Sequence, residues 1–142
     1  MLGRLARWLR LLGYDTAFLH DASDHELARI ARSEGRVLLT RDRALAVRRG
    51  LDTLLIRSEQ LEEQLEQVQD ALGPPPDPSL SRCSVCNVAL DDLSPDEAAD
   101  QVPPYIRRTH SEFRHCPECH RVYWSGSHVE AMIERLNSLD LW

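Results

Sequence analysis

Val37-Leu38-Leu39-Thr40-Arg41-Asp42 is the stretch on which the reading of this chain turns. Gly35 breaks a plausible helix just before it, and a polar, arginine-rich segment follows. The apolar run is too short for a helix and shows no alternation, as expected for a strand covered on both faces of a parallel sheet. Polarity returns abruptly at Thr40. Ligands of open α/β sheets gather at the carboxyl ends of the strands, which places Thr40 and Asp42 where chemistry is usually done. A simpler role is equally open to Asp42: capping the next helix, with Ala44 and Leu45 just inside it.

The segments on either side repeat a helix–strand order. Residues 1–12 read as a helix with Leu2, Leu5, Leu9 and Leu12 on one side and Ala6 beside them. Arg4, Arg7 and Arg10 fall on the opposite side, and Gly13 is a credible stop. Thr16-Ala17-Phe18-Leu19 is a strand candidate. His20-Asp21-Ala22 leads into a helix over residues 24–34, capped by Ser23 or Asp24, with Ser23 and Glu26 at capping-box spacing. Leu27, Ile30 and Ala31 form its buried stripe. Beyond the central strand the pattern predicts a short helix over residues 42–49 and a covered strand over residues 53–56. Ser58 or Glu59 then opens a helix through Leu61, Leu65, Val68 and Leu72. Right-handed crossovers turn this order into an α/β fold, a parallel sheet with helices on its faces.

Gly73-Pro74-Pro75-Pro76-Asp77-Pro78 cannot continue a helix. It divides the chain into an α/β unit (residues 1–73), a proline-rich linker (74–80) and a second module (81–142). Cys83-Ser84-Val85-Cys86 and Cys116-Pro117-Glu118-Cys119 dominate that module. Two CxxC turns present four thiolates to one ion, an arrangement suited to structural Zn²⁺ and closed to a substrate water. Four-cysteine iron sites share the geometry. Such a module has little core of its own, so the metal would supply much of its folding energy. His110, His115, His120 and His128 lie near the second pair but are expected to be surface or outer groups rather than ligands. A polar insert with one or two helical turns separates the pairs, and Pro103-Pro104-Tyr105 forms an elbow. Arg121-Val122-Tyr123-Trp124 continues as a strand, and Ser127 opens a last helix carrying Val129, Met132, Ile133 and Leu136.

The chain carries 17 basic and 23 acidic side chains, a net charge of −6, which argues against blanket nucleic-acid binding. Basic residues nevertheless prevail up to Arg57, so the first segment can meet a polyanion, although a solvated arginine face reads the same. No stretch approaches the roughly 18–20 apolar residues of a membrane span, and a soluble cytoplasmic protein is expected. No glycine-rich loop points to a Rossmann or P-loop nucleotide site.

In the predicted topology Asp24 and Asp42 open successive helices along one sheet edge. Carboxylates gathered there repel one another unless a divalent cation lies between them, and hard oxygen ligands suit Mg²⁺ or Mn²⁺. Such an ion orients and deprotonates a water and neutralises charge developing on a phosphodiester. Thr40 would position a ligand or the water. Asp21 and Glu26 are alternatives for the second position, each more often a cap or a solvated residue.

Several longer motifs occur together: residues 1–15 as a block, Gly35-Arg36-Val37-Leu38-Leu39-Thr40-Arg41-Asp42, Ser81-Arg82-Cys83-Ser84-Val85-Cys86-Asn87, Val102-Pro103-Pro104-Tyr105, and Cys116-Pro117-Glu118-Cys119 with Arg121-Val122-Tyr123-Trp124-Ser125-Gly126-Ser127-His128. In combination they resemble the Mut7-C RNase family, a PIN-like nuclease domain joined to a C-terminal zinc ribbon. The resemblance implies a PIN-like parallel sheet flanked by helices, then a small zinc ribbon and a terminal helix. It implies a metal-dependent ribonuclease, with RNA as partner, Mg or Mn at Asp24 and Asp42, and Zn at Cys83, Cys86, Cys116 and Cys119. Glu26 would be a further acidic member, Thr40 belongs to the threonine-arginine-aspartate motif, and Arg41 would face substrate or steady the carboxylates.

Members of that family begin with a short strand ending in an aspartate, directly before the helix that starts here at Met1. Without that strand and ligand the chain is expected to have weak or no nuclease activity. Its sheet is expected to expose apolar surface to which a second copy or a protein partner would fit. A different function also suits these residues: an RNA- or ribosome-associated binding module. Arg107, Arg108, Arg114 and Arg121 would meet phosphates there, and Tyr123 and Trp124 would stack on bases.

Overall fold

The leucine stripe of the first helix decides how the α/β layer packs. A computed structural model describes residues 2–19 and 21–137. Helix α1 (Gly3–Leu12) buries Leu5, Leu9 and Leu12 almost completely. They meet Leu61, Leu65 and Val68 of α4 (Leu61–Leu72), together with Tyr14 and Ile56. Each such leucine contributes about 1.5–3 kcal/mol relative to exposure, so this seam is the main apolar driving force of the layer. Met132 and Leu136 of α7 (Ser127–Asn137) complete it. The last helix follows the cysteine module in sequence but packs on α1 and α4.

Gly13 ends α1 at φ +112°, where a Cβ would stand 2.0 Å from the Asp77 carbonyl oxygen, so backbone and neighbour both require glycine. The proline-rich segment lies against this helix end, with the Leu80 amide donating to the Leu11 carbonyl at 2.8 Å. The Tyr14 hydroxyl donates to the Gly73 carbonyl at 2.6 Å, tying the ends of α1 and α4 together.

Helix α2 (Asp24–Glu34) is capped by Ser23, whose hydroxyl accepts the Glu26 amide at 3.1 Å, and Gly35 closes it at φ +64°. Strands β1 (Leu38–Thr40) and β2 (Thr53–Leu55) pair in parallel, Leu39 opposite Leu54, as the apolar runs predict. β1 starts one residue later than expected and takes in Thr40. Helix α3 (Arg43–Ala46) is shorter than residues 42–49, because the Thr53 hydroxyl takes the Ala46 carbonyl and closes it.

The strand expected at Thr16-Ala17-Phe18-Leu19 does not form. The Thr16 amide donates to Asn87 Oδ1 at 3.0 Å and its carbonyl accepts Arg10 Nε at 2.7 Å, so side chains hold the groups a ladder would need. His20 and Met1 lie outside the described residues.

The second module holds an antiparallel sheet of β3 (Asp91–Leu93), β4 (Phe113–His115) and β5 (Val122–Tyr123), in that order. Strand β3 lies in the insert for which one or two helical turns are expected. Aspartates disfavour strands by propensity, but Asp92 faces Arg114 across the ladder, with Arg114 Nε 3.8 Å from its carboxylate. The helical turns are there too. Helix α5 (Pro95–Ala98) is capped by Ser94, and α6 (Pro104–Thr109) starts with Pro104 in its first turn, where a missing N–H costs nothing. The Pro103-Pro104-Tyr105 elbow is therefore a helix start. Ala98, Val102 and Phe113 form a small second core, with Leu93, Ile106, Val122 and Trp124 packed on it. Among the described residues no helix is long and apolar enough to cross a membrane.

Leu65 is fully buried at the α1–α4–α7 seam. Leu65→Ala is expected to lower the unfolding free energy by about 2–5 kcal/mol in chemical denaturation. Val47→Ala, at a side chain 79% exposed, is expected to change it by less than about 0.5 kcal/mol.

Candidate functional site

The two CxxC segments fold into matching turns. The Asn87 amide donates to the Cys83 carbonyl at 2.9 Å, and the His120 amide to the Cys116 carbonyl at 2.9 Å. The Cys86 amide points at Cys83 Sγ (3.3 Å) and the Cys119 amide at Cys116 Sγ (3.4 Å). Asn87 and His120 each leave the turn at φ +65°, in the left-handed region that asparagine and histidine enter more readily than bulkier residues. The turns face each other, and the four sulfurs lie within 4.8 Å of one another.

Cys83 and Cys119 sulfurs are 3.7 Å apart. Four sulfurs at about 2.3 Å from a central Zn²⁺ would stand roughly 3.8 Å from each other, so the donor set fits a tetrahedral zinc site. Burial works against the Cys83 thiolate, but hydrogen bonds from the Tyr123 hydroxyl and the Cys86 and Val85 amides outweigh it and bring the group down to about 7. Cys86 is pushed up to about 12 by burial and by competition with Cys119 and Cys116. Four thiols this close cannot all ionise unless a cation joins them. None of the described histidines belongs to the group.

Arg10 fastens the first of these turns to the α/β layer. It is 7% exposed, not on a solvated face with Arg4 and Arg7. On the helix wheel it lies next to Ala6, at the flank of the leucine stripe. Its Nη1 donates to the Ser84 carbonyl at 2.9 Å and the Val85 carbonyl at 3.2 Å, while Nε holds Thr16. Burial opposes its charge, and the nearby Cys83 and Cys86 favour it. Asn87 adds a second bridge: its amide nitrogen donates to Asp15 Oδ1 at 2.7 Å, and the Arg36 guanidinium reaches the same oxygen at 3.1 Å.

A cavity of about 890 Å³ opens beside β1. Leucines and alanines of α1, residues 15–19, the inner face of α2 and the far side of β1 enclose it. Thr40, Arg41, Asp42 and Glu59 form its polar end. The Thr40 hydroxyl accepts the Asp42 amide at 3.0 Å, which sets the turn out of the strand. Asp42 Oδ1 accepts the Ala44 amide at 2.8 Å, so the carboxylate caps α3 while remaining exposed. Arg41 donates to the Ser58 carbonyl at 2.6 Å and stands 3.7 Å from Glu59.

Asp24 and Glu26 occupy the first turn of α2, exposed and outside the cavity lining. Among the described residues no three carboxylates converge. Glu59 escaped the sequence reading, although it follows β2 as Asp42 follows β1 and the same strand-end argument covers it.

The arginine and aromatic cluster separates into two groups. Tyr123 is structural, with its hydroxyl 3.1 Å from both Cys83 Sγ and the Ser84 amide, and Trp124 packs on the second core. Arg114 donates to the Leu80 carbonyl at 2.9 Å. Arg107, Arg108 and Arg121 are exposed, and Tyr105 on α6 is 64% exposed. The side chain of His128 lies outside the described set.

Two outcomes are expected from this geometry. Elemental analysis should find one zinc per chain in the wild type and none in Cys83→Ser, which should melt at a lower temperature. Asp15 is held below its ordinary 3.8, first by the Asn87 hydrogen bond, against burial, and then by Arg36. A depressed carboxyl stabilises the fold fully above its unfolded value and loses that contribution as pH falls through the folded one. The stability advantage of wild type over Asp15→Asn should therefore be constant above the carboxylate range and shrink below pH 3.8.

Comparison with known families agrees with the architecture. A family model described as the Mut7-C RNAse domain matches residues 1–136. No curated protein and no solved structure gives a match. The parallel α/β layer followed by a four-cysteine ribbon is the PIN-like and zinc-ribbon arrangement the sequence motifs imply. With the match running from the first helix into the last, this chain belongs to the Mut7-C RNAse domain family.

Proposed function

We propose that the chain is a metal-dependent ribonuclease that hydrolyses RNA phosphodiester bonds at the rim formed by Thr40, Arg41 and Asp42. The observation that carries this reading is membership, over residues 1–136, of a family described as an RNAse domain. The rim supports it: Asp42 stands exposed at the carboxyl end of a parallel strand, beside a cavity and next to an arginine. Asp42 and Asp24 would hold Mg²⁺ or Mn²⁺. The ion would supply charge neutralisation and an activated water. The chain's own part is to present the carboxylate on a capped turn, to fix that turn through the Thr40 hydroxyl, and to keep Arg41 against Ser58 and Glu59. Zn²⁺ at the cysteines is structural, since four thiolates leave no open position.

Asp42→Asn isolates the charge, because asparagine caps a helix as well as aspartate does. With Mn²⁺ and labelled single-stranded RNA, wild type is expected to cleave slowly, in keeping with the absence of three converging carboxylates among the described residues. Asp42→Asn should lower the rate on the order of 10²-fold or more at unchanged melting temperature. Equal rates in the two proteins would overturn the assignment.

A second reading, an RNA- or ribosome-associated binding module, is favoured by α6, where Arg107 and Arg108 stand exposed beside Tyr105. It predicts salt-dependent RNA binding that survives Asp42→Asn and falls with Arg107→Ala and Arg108→Ala. Cleavage lost in Asp42→Asn with binding retained would mean that the two surfaces share the work.

A further inference from the structure

The contacts that run from the first cysteine turn and its flanks to the α/β layer converge on Asp15 and Thr16. Arg10 joins the Ser84 and Val85 carbonyls to the Thr16 carbonyl. Asn87, directly after the turn, accepts the Thr16 amide and donates to Asp15. Arg82, directly before it, has Nη1 4.0 Å from the same Asp15 carboxylate. Asp15 and Thr16 begin the extended segment that, with Ala17, Phe18 and Leu19, forms one wall of the cavity. That wall is not part of either sheet. From Asp15 the contacts continue to Arg36, immediately before the residues that line the opposite wall and the rim.

We propose that the four-cysteine centre is a clasp on the cavity: metal in the cysteine turns fixes the Ser84 and Val85 carbonyls and Asn87, and these hold residues 15–19 in place as the cavity wall. Metal occupancy and the geometry of the cavity are then one linked equilibrium. This inference does not rest on the ribonuclease reading.

The physical argument follows the acceptors of Arg10. Two of its three carbonyl partners belong to the cysteine turn, whose conformation depends on the thiolates sharing an ion. A buried guanidinium that loses those partners is left with unpaired donors, a state far costlier than the paired one. Arg10 must therefore move when the turn relaxes, and the Thr16 carbonyl loses its donor at the same time. Asn87 acts in the same direction. Its left-handed backbone, at φ +65°, is held by the turn, and its side chain carries the amide of Thr16. Charge favours the closed form as well, because Zn²⁺ with four thiolates carries a net −2 and Arg10 lies beside two of those cysteines. Outer partners of this kind tune a metal site as well as being positioned by it, and such linkage is reciprocal.

The test uses the full chain and zinc. Asn87→Gly keeps the left-handed backbone and removes both side-chain bonds. It should still bind one zinc per chain, with affinity lowered about tenfold in competition with a chromophoric chelator. Amide exchange of residues 15–19 should rise in this variant, while the Ile56 amide, bonded to the Thr40 carbonyl, stays protected. Stripping zinc from the wild type should produce the same selective pattern. Unchanged zinc affinity and unchanged exchange over residues 15–19 in Asn87→Gly would overturn the clasp. So would uniform loss of protection on stripping, Ile56 included, because that marks a general folding requirement and not a link to one wall.

Discussion

The buried guanidinium of Arg10 is the contact on which the two halves of this molecule depend. A charge taken out of water needs partners for its donors, and here three backbone carbonyls accept from Arg10 Nε and Nη1. One lies just after α1 and two lie in the first cysteine turn. Keeping all three bonds constrains how the helix end and the turn are placed. The arginine therefore specifies how they sit relative to each other, beyond whatever net stability it contributes.

Around that contact the apolar seams are ordinary in kind but unusual in how they connect. The main core joins α1 and α4 to the chain's last helix, so the ribbon lies between two passes through the same hydrophobic layer. Its own core is small, built on Ala98, Val102 and Phe113. A metal shared by the four cysteines would supply rigidity that so few apolar side chains cannot.

The rim at Thr40, Arg41 and Asp42 is placed by the same layer. Parallel pairing carries both strand ends to one edge, so Asp42 after β1 and Glu59 after β2 arrive at the same side. Asp42 serves as a helix cap and stands exposed beside the cavity. The two roles suggested by the sequence are compatible because a carboxylate has more lone pairs than one cap uses.

Local pattern alone determined much of this protein. Leu2, Leu5, Leu9 and Leu12 announced α1, the apolar run before Thr40 announced a strand, and the two CxxC spacings announced a four-sulfur site. Each signal is carried by neighbours along one helix, one strand or one turn. What only the tertiary structure decided are the contacts between residues far apart in the chain. Arg10 looks like one more solvated arginine until Ser84 and Val85 are folded against it. Thr16–Leu19 has a strand's composition, but the backbone groups of Thr16 are claimed by Arg10 and Asn87. Asp92 of β3 finds its partner in Arg114, beyond the reach of propensity, and Met132 and Leu136 find their core on α1 and α4, far back in the sequence. Periodicity records which face of an element is apolar. It does not record which distant polar group will desolvate a charge or complete a hydrogen bond.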